Sequence, residues 1–285
     1  MKCKVIVNKD SGNSNKVNIE ALKQYFGCEL DIQYIGASDN WSAEGYDTIV
    51  VCGGDGTLHN ALVKCHSKQL FYLPCGTLNE GARKGDISAI AKVNDQPFHY
   101  VCAAGSFTQI GYTANNKSKR KFKALAYLPK VFSSYHCHQI PATLKIDDQQ
   151  HSGEYTLLMV IRSKCCFGFN FNKQFDKRPS LYMLAVKSCG KDNFVNKIRL
   201  FFPFFRIFFC GIGKPTQNKK WLLLPFSNAT ITLEKQHDFC FDGEKIVLQG
   251  KLSFCEQQLT KPIVVLQPSC FCHKKARKKL NKLVE

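Results

Sequence analysis

No two of the 15 cysteines stand in a C-x-x-C spacing, and their number is odd. A zinc ribbon and a thioredoxin-like redox pair are thereby excluded, and a disulfide framework is disfavoured. No apolar run reaches the roughly 20 residues that a membrane-spanning helix needs. The nearest, residues 198–213, is interrupted by Arg199, Pro203 and Arg206. The opening residues, MKCKVIVNKD, pass straight into a strand-like run without the apolar stretch of a signal peptide. These absences point to a reducing cytoplasm in which most cysteines serve as small hydrophobes. Internal repeats and low-complexity linkers are missing as well. Acidic residues are scarce: 22 face 40 lysines and arginines, leaving a net charge of +18 on 285 residues. Such an excess favours anionic partners, whether nucleic acid, phosphate-rich ligands or an acidic membrane face. No helix-turn-helix, finger or RNA-binding motif accompanies it, so nucleic acid is set aside.

What is present is a globular composition, 44% hydrophobic. The first hundred residues alternate strand and helix signals. Strands are expected at 3–8, 29–35, 47–52 and 69–74, and helices at 17–26, 57–66 and 77–84, with Gly27 ending the first helix. Such alternation predicts a parallel sheet flanked by helices, a Rossmann-like α/β domain over residues 1–97. From about residue 98 the rhythm changes. Strands are expected at 98–103, 141–147, 154–162, 180–187, 229–234, 239–242, 245–248 and 251–255. They read as an antiparallel β-sandwich over 98–266, interrupted by a helical stretch near 120–134. A helical tail, about 267–285, is expected to pack back on the first domain.

Two glycine turns stand out. VCGGDGT (51–57) ends one parallel strand, where open α/β sheets bind ligands. Gly53, Gly54 and Gly56 allow positive φ and close backbone approach, and the amides after them open a helix, an arrangement that suits phosphate. A carboxylate cannot meet phosphate directly, but Asp55 can do so through Mg2+. A plain glycine-rich turn with Asp55 as helix cap is the alternative. The second turn, PCGTLNEGAR (74–83), follows the next strand, so both would face one cleft.

GGDGT (53–57) followed by PCGTLNEGAR resembles the catalytic domain of diacylglycerol kinase-like lipid kinases, a group that includes sphingosine kinases and has NAD kinases as distant relatives. NKDSG (8–12) and FDGE (241–244) fit two further landmarks of that family, in order. The resemblance implies a two-domain kinase with its nucleotide site in the interdomain cleft. ATP would lie against Asn8, Lys9, Asp10, Ser11, Gly12, Gly53, Gly54, Asp55, Gly56, Thr57, Gly76, Thr77 and Asn79. It also implies Glu244 as general base, with Asp242 and Asp55 beside it in catalysis, and Asp55, Glu80 and Asp176 as metal ligands for Mg2+. The acceptor would be a lipid hydroxyl, diacylglycerol before a sphingoid base or polyprenol; a non-catalytic nucleotide- or lipid-binding relative is the alternative. The chain departs from the pattern at Lys9, which replaces a proline, at His59-Asn60, which replaces Asn-Glu, and at Glu80, which replaces an aspartate.

The remaining charge sits in KSKRKFK (117–123) and in a tail of Lys274, Lys275, Arg277, Lys278 and Lys279. With the phenylalanines of 198–213 these segments suit an anionic membrane surface, which would place the protein peripherally on the inner membrane face. A core helix is the equal alternative for 198–213. A homodimer is compatible with the sequence. YHCHQ (135–139) and SCFCH (270–273 for its last four residues plus Ser269) lack zinc-site spacing.

Overall fold

The computed structural model describes residues 2–36, 39–65, 68–76, 79, 86–108, 136–166, 169–175 and 180–273. The helices expected at 77–84 and 120–134, the basic run 117–123 and the tail beyond His273 lie outside these residues, as do Thr77, Glu80 and Asp176.

The chain opens with β1 (Cys3–Asn8), helix α1 (Ile19–Phe26), β2 (Leu30–Ile35), β3 (Thr48–Gly53), helix α2 (Asp55–Lys64) and β4 (Gln69–Pro74). β2 pairs with β1, β1 with β3 and β3 with β4, all parallel. Side chains on a strand alternate between faces. Ile6, Ile49 and Val51 therefore pack with Leu58, Ala61 and Leu62 of α2 on one face. Val5, Val7, Val50 and Cys52 pack with Leu22 of α1 on the other. Both faces are covered, so these strands read as unbroken apolar runs rather than alternating ones. Helix α1 begins two residues later than expected because the Asn18 side chain accepts a hydrogen bond from the Ala21 amide and caps it. Gly27 ends it in the left-handed region, at φ 61°.

Antiparallel pairing begins at β5 (Ile87–Val93), earlier than the change of rhythm at residue 98 suggested. There follow β6 (Gln96–Phe98), β7 (Val101–Gly105), β8 (Ile140–Ile146), β9 (Gln149–Ile161), β10 (Cys165–Cys166), β11 (Phe169–Asn170) and β12 (Leu181–Lys187). Next come helix α3 (Phe194–Phe204), a π-helical segment (Phe205–Cys210), β13 (Thr216–Gln217), β14 (Trp221–Phe226), β15 (Asn228–Phe241), β16 (Glu244–Val265) and a final turn of helix, α4 (Pro268–Phe271). The pairs expected at 229–234 with 239–242, and at 245–248 with 251–255, are two long strands. β15 bends at a bulge between Leu233 and His237, pairing with β8 before it and β7 after it. The antiparallel strands enclose a core that includes Phe98, Leu144, Val160, Met183, Phe239 and Phe254. They do not divide into two separate sheets as a simple sandwich would, because β9, β15 and β16 each pass from one set of partners to another. Among the described residues most strand pairings are antiparallel. The far end of β16 returns to pair in parallel with β4 through Val264 and Val265. One strand thus runs from Glu244 to the edge of β4.

Candidate active site

The site starts where β1, β3 and β4 end side by side. Gly54 holds the cap position of α2 and, lacking a side chain, supplies no capping hydrogen bond. The leading N–H groups of a helix have no intrahelical carbonyl to bond. Asp55 occupies the first helical turn, where a negative charge is favourable against the helix dipole, and does not act as the cap.

Gly53 and Gly76 are required by packing, and none of Gly53, Gly54, Gly56 and Gly76 adopts a positive φ. A Cβ on Gly53 would lie 2.4 Å from Thr57 Oγ1, and one on Gly76 only 2.7 Å from the Gly54 Cα. The two glycine turns therefore touch backbone to backbone, as their placement on adjacent strands predicts. Their contact is reinforced by hydrogen bonds from the Cys75 and Gly76 amides to Gly53 O, at 2.7 and 3.1 Å. Asn79, at φ 46°, closes the second turn: its Oδ1 accepts from the Gly76 amide and its Nδ2 donates to Gly76 O.

The first loop joins the same constellation. Asn8 Nδ2 donates to Thr57 Oγ1 at 2.8 Å, and Asn8 Oδ1 accepts from the Asp10 amide. The Lys9 amide donates to Ile35 O, the Ser11 amide to Asn8 O and the Asn13 amide to Cys75 O. Residues 8–13 are thus stitched to β2 on one side and to the second glycine turn on the other. Behind the turns, the buried Tyr72 hydroxyl points between Gly53 O at 3.2 Å and Asn79 Oδ1 at 3.4 Å. Burial, and after it the charge of Asp55, push this phenol well above its ordinary value, which keeps it a donor.

FDGE forms the two-residue turn between β15 and β16. Asp242 and Gly243 have φ of 51° and 99°, as the tight hairpin of an Asp-Gly pair requires. This hairpin meets the glycine turns across 188 positions of sequence (56 to 244): a Cβ on Gly56 would lie 3.1 Å from Glu244 Oε1. Glu244 is exposed and reaches the start of α2.

Asp242 behaves differently from the Glu244 it was grouped with. It is fully buried, and its oxygens accept from the His99 amide at 2.5 Å, the Tyr100 amide at 2.9 Å and the Val101 amide at 3.0 Å. Its Oδ2 also meets His59 Nδ1 at 3.0 Å. Such a carboxylate has no face left for a substrate; the geometry makes it an anchor for the turn. Burial would raise its pKa, but the hydrogen bond and charge of His59, then His99 and the Tyr100 amide, hold it below the ordinary value. For His59, burial would depress the imidazole, yet Asp242, and more weakly Glu244, raise it above the ordinary 6.5. His59 also stacks edge-on against Phe241. Sequence reasoning noticed His59 only as a departure; no local signal reveals a partner 183 residues away. Tyr72 and Asn13 were missed for the same reason.

Of the expected metal ligands only Asp55 is among the described residues, and these contain no cluster of three or more His, Cys, Asp or Glu side chains able to hold a metal ion. No helix among them is long and apolar enough to cross a membrane.

Residues 2–97 match the family model described as "Diacylglycerol kinase catalytic domain". Over 149 residues the chain is 26% identical to proteins named diacylglycerol kinase from Staphylococcus saprophyticus and Staphylococcus aureus. These matches cover 44% of this chain, and it spans about half the length of those relatives, 49% and 47% respectively. The crystal structure of a diacylglycerol kinase from Bacillus anthracis strain Sterne superposes with a TM-score of 0.64 at 18% identity, covering 94% of this chain and 98% of that one. A second structure from that organism gives 0.67 at the same identity and coverage. At this identity the likeness establishes a shared fold.

Proposed function

We propose that this chain, which belongs with the diacylglycerol kinase-like lipid kinases, transfers the γ-phosphoryl group of ATP to a lipid hydroxyl, with diacylglycerol as acceptor and phosphatidic acid as product. The single observation that supports the reading most is the meeting of Glu244 with Gly56. An acidic side chain from a distant hairpin sits over the start of a helix whose approach is lined by glycines. Phosphate oxygens suit that helix start, and a carboxylate beside it suits an alcohol that must lose its proton.

In this reading the triphosphate lies across the ends of β1, β3 and β4, held by residues 8–12, Gly53–Thr57, Gly76, Thr77 and Asn79. Asn8 donates to the Thr57 hydroxyl oxygen, so that oxygen is positioned before any ligand arrives. The acceptor hydroxyl approaches from the hairpin side. Glu244 accepts its proton as the oxygen attacks the γ-phosphorus, and ADP leaves in line. His59 and Asp242 are positioning residues: they clamp α2 to the hairpin and so set the separation of Glu244 from the phosphates. Asp55, a hard oxygen donor in the first turn of α2, fits Mg2+, whose other ligands would be phosphate oxygens and water. Mg2+ would there neutralise charge on the β- and γ-phosphates.

The reading is tested by incubating the purified chain with γ-labelled ATP and a mixed lipid extract, and identifying labelled lipid by mass spectrometry. Labelled phosphatidic acid supports it. A labelled sphingoid or polyprenyl phosphate moves the acceptor, and transfer to no lipid overturns it.

A further inference from the structure

Helix α3 is apolar on two faces. Leu200 and Phe204, followed by Ile207 and Phe208 of the π-helical segment, pack into the core with Leu157, Phe171 and Leu184, and Pro203 is buried beside them in sequence. A helix apolar all round is ordinarily buried, yet the opposite face is open: Phe194 and Phe202 are 78% and 64% exposed, and Val195, Ile198 and Phe205 are exposed too. The outer row continues from α3 into the π-helical segment that follows Pro203. Phe205 stacks against Phe201 at 5.8 Å and Phe209 at 5.3 Å, in near-parallel pairs. Exposed phenylalanines are costly in water, at about 1.5–3 kcal/mol per side chain for full burial. The expected core helix is therefore realised on one face, and the other face leaves an apolar row exposed.

The rim identifies the occupant. Residues 187–220 contain eight lysines and arginines and a single acidic residue, Asp192. That carboxylate is already engaged by His136 at 2.8 Å, the Cys137 amide at 3.0 Å and Lys197 at 3.6 Å. Lys191, Arg199 and Arg206 are exposed beside the apolar row. We infer that this face docks on an anionic lipid bilayer, the phenylalanines entering the acyl boundary and the cations meeting the headgroups. Interfacial helices bind in this way, through apolar area together with attraction to anionic lipid. A second copy of the chain would bring the same positive rim against this one, which opposes self-docking. The inference rests on a lipid being the acceptor, but it is tested separately.

Co-sedimentation of the full chain with vesicles of equal parts phosphatidylcholine and phosphatidylglycerol, and with phosphatidylcholine alone, is the experiment. The chain is expected to be retained by the anionic vesicles and released by salt. Phe194→Ser/Phe202→Ser, at the two most exposed rings, should lower retention about tenfold or more, with an unchanged melting temperature and unchanged phosphorylation of a short-chain, water-soluble diacylglycerol. Patch-dependent retention without any phosphorylation would sink the kinase reading and leave this one standing. Retention unaltered by the double substitution, no retention at all, or a dimer that the substitution dissociates would each overturn the inference.

Discussion

Removing the Asp242 carboxylate should weaken the whole molecule as well as the site. In Asp242→Ala three backbone N–H groups, on His99, Tyr100 and Val101, lose a buried acceptor, and His59 loses its partner. Each buried donor left unsatisfied costs about 1–3 kcal/mol, and alanine at φ 51° adds about 1–2 kcal/mol. Because the neighbours relax together, the sum is not additive. A loss of about 4 kcal/mol is expected, a large share of the roughly 5–15 kcal/mol that a domain has. Asp242→Asn keeps one carbonyl oxygen, tolerates the left-handed conformation and should lose about 2 kcal/mol. Urea unfolding of the two variants, followed by tryptophan fluorescence, measures both losses. An Asp242→Ala variant within about 0.5 kcal/mol of wild type, the scatter of ordinary surface changes, would refute the anchoring role.

Two other predictions follow from the same geometry. Folding raises the His59 pKa, so its contribution is whole below the ordinary 6.5 and is lost as pH rises through the folded value. Folding lowers the Asp242 pKa, so that contribution is present above the ordinary 3.8 and is lost as pH falls through the folded value. The stability difference between wild type and His59→Ala should therefore be greatest between pH 3.8 and 6.5 and shrink toward alkaline pH; urea unfolding at stepped pH would contradict this if the difference were flat. Gly76→Ala places a methyl 2.5 Å from Asn79 Oδ1, which must turn aside and lose its bond to the Gly76 amide, and 2.7 Å from the Gly54 Cα, where backbone must shift. It should cost about 1–3 kcal/mol and weaken ATP binding, as calorimetric titration would show; normal binding would mean that the contact of the two turns is dispensable.

Local signals carried the parallel strands, the ends of α1 and the two glycine turns, because each rests on nearby residues: apolar runs, Asn18 and Gly27, and glycines on adjacent strands. The reason for the glycines was legible only in part. Close approach was expected from the ligand, whereas Gly53 and Gly76 are fixed by Thr57 and Gly54 of the protein itself. Long-range pairing was out of reach. Nothing in residues 229–255 reveals that four short apolar stretches make two long strands, since a bulge breaks the alternation between Leu233 and His237. The division of labour within FDGE was equally hidden: Asp242 and Glu244 are two residues apart, yet the turn aims one into the interior and the other at α2.

Glu244→Gln tests the central claim most directly. The amide keeps the size of the side chain beside Gly56 but cannot take a proton at neutral pH. With ATP binding measured by calorimetry and transfer by labelled γ-phosphate, the account predicts unchanged affinity and a fall in turnover of about 100- to 10,000-fold. Near-normal turnover would contradict it.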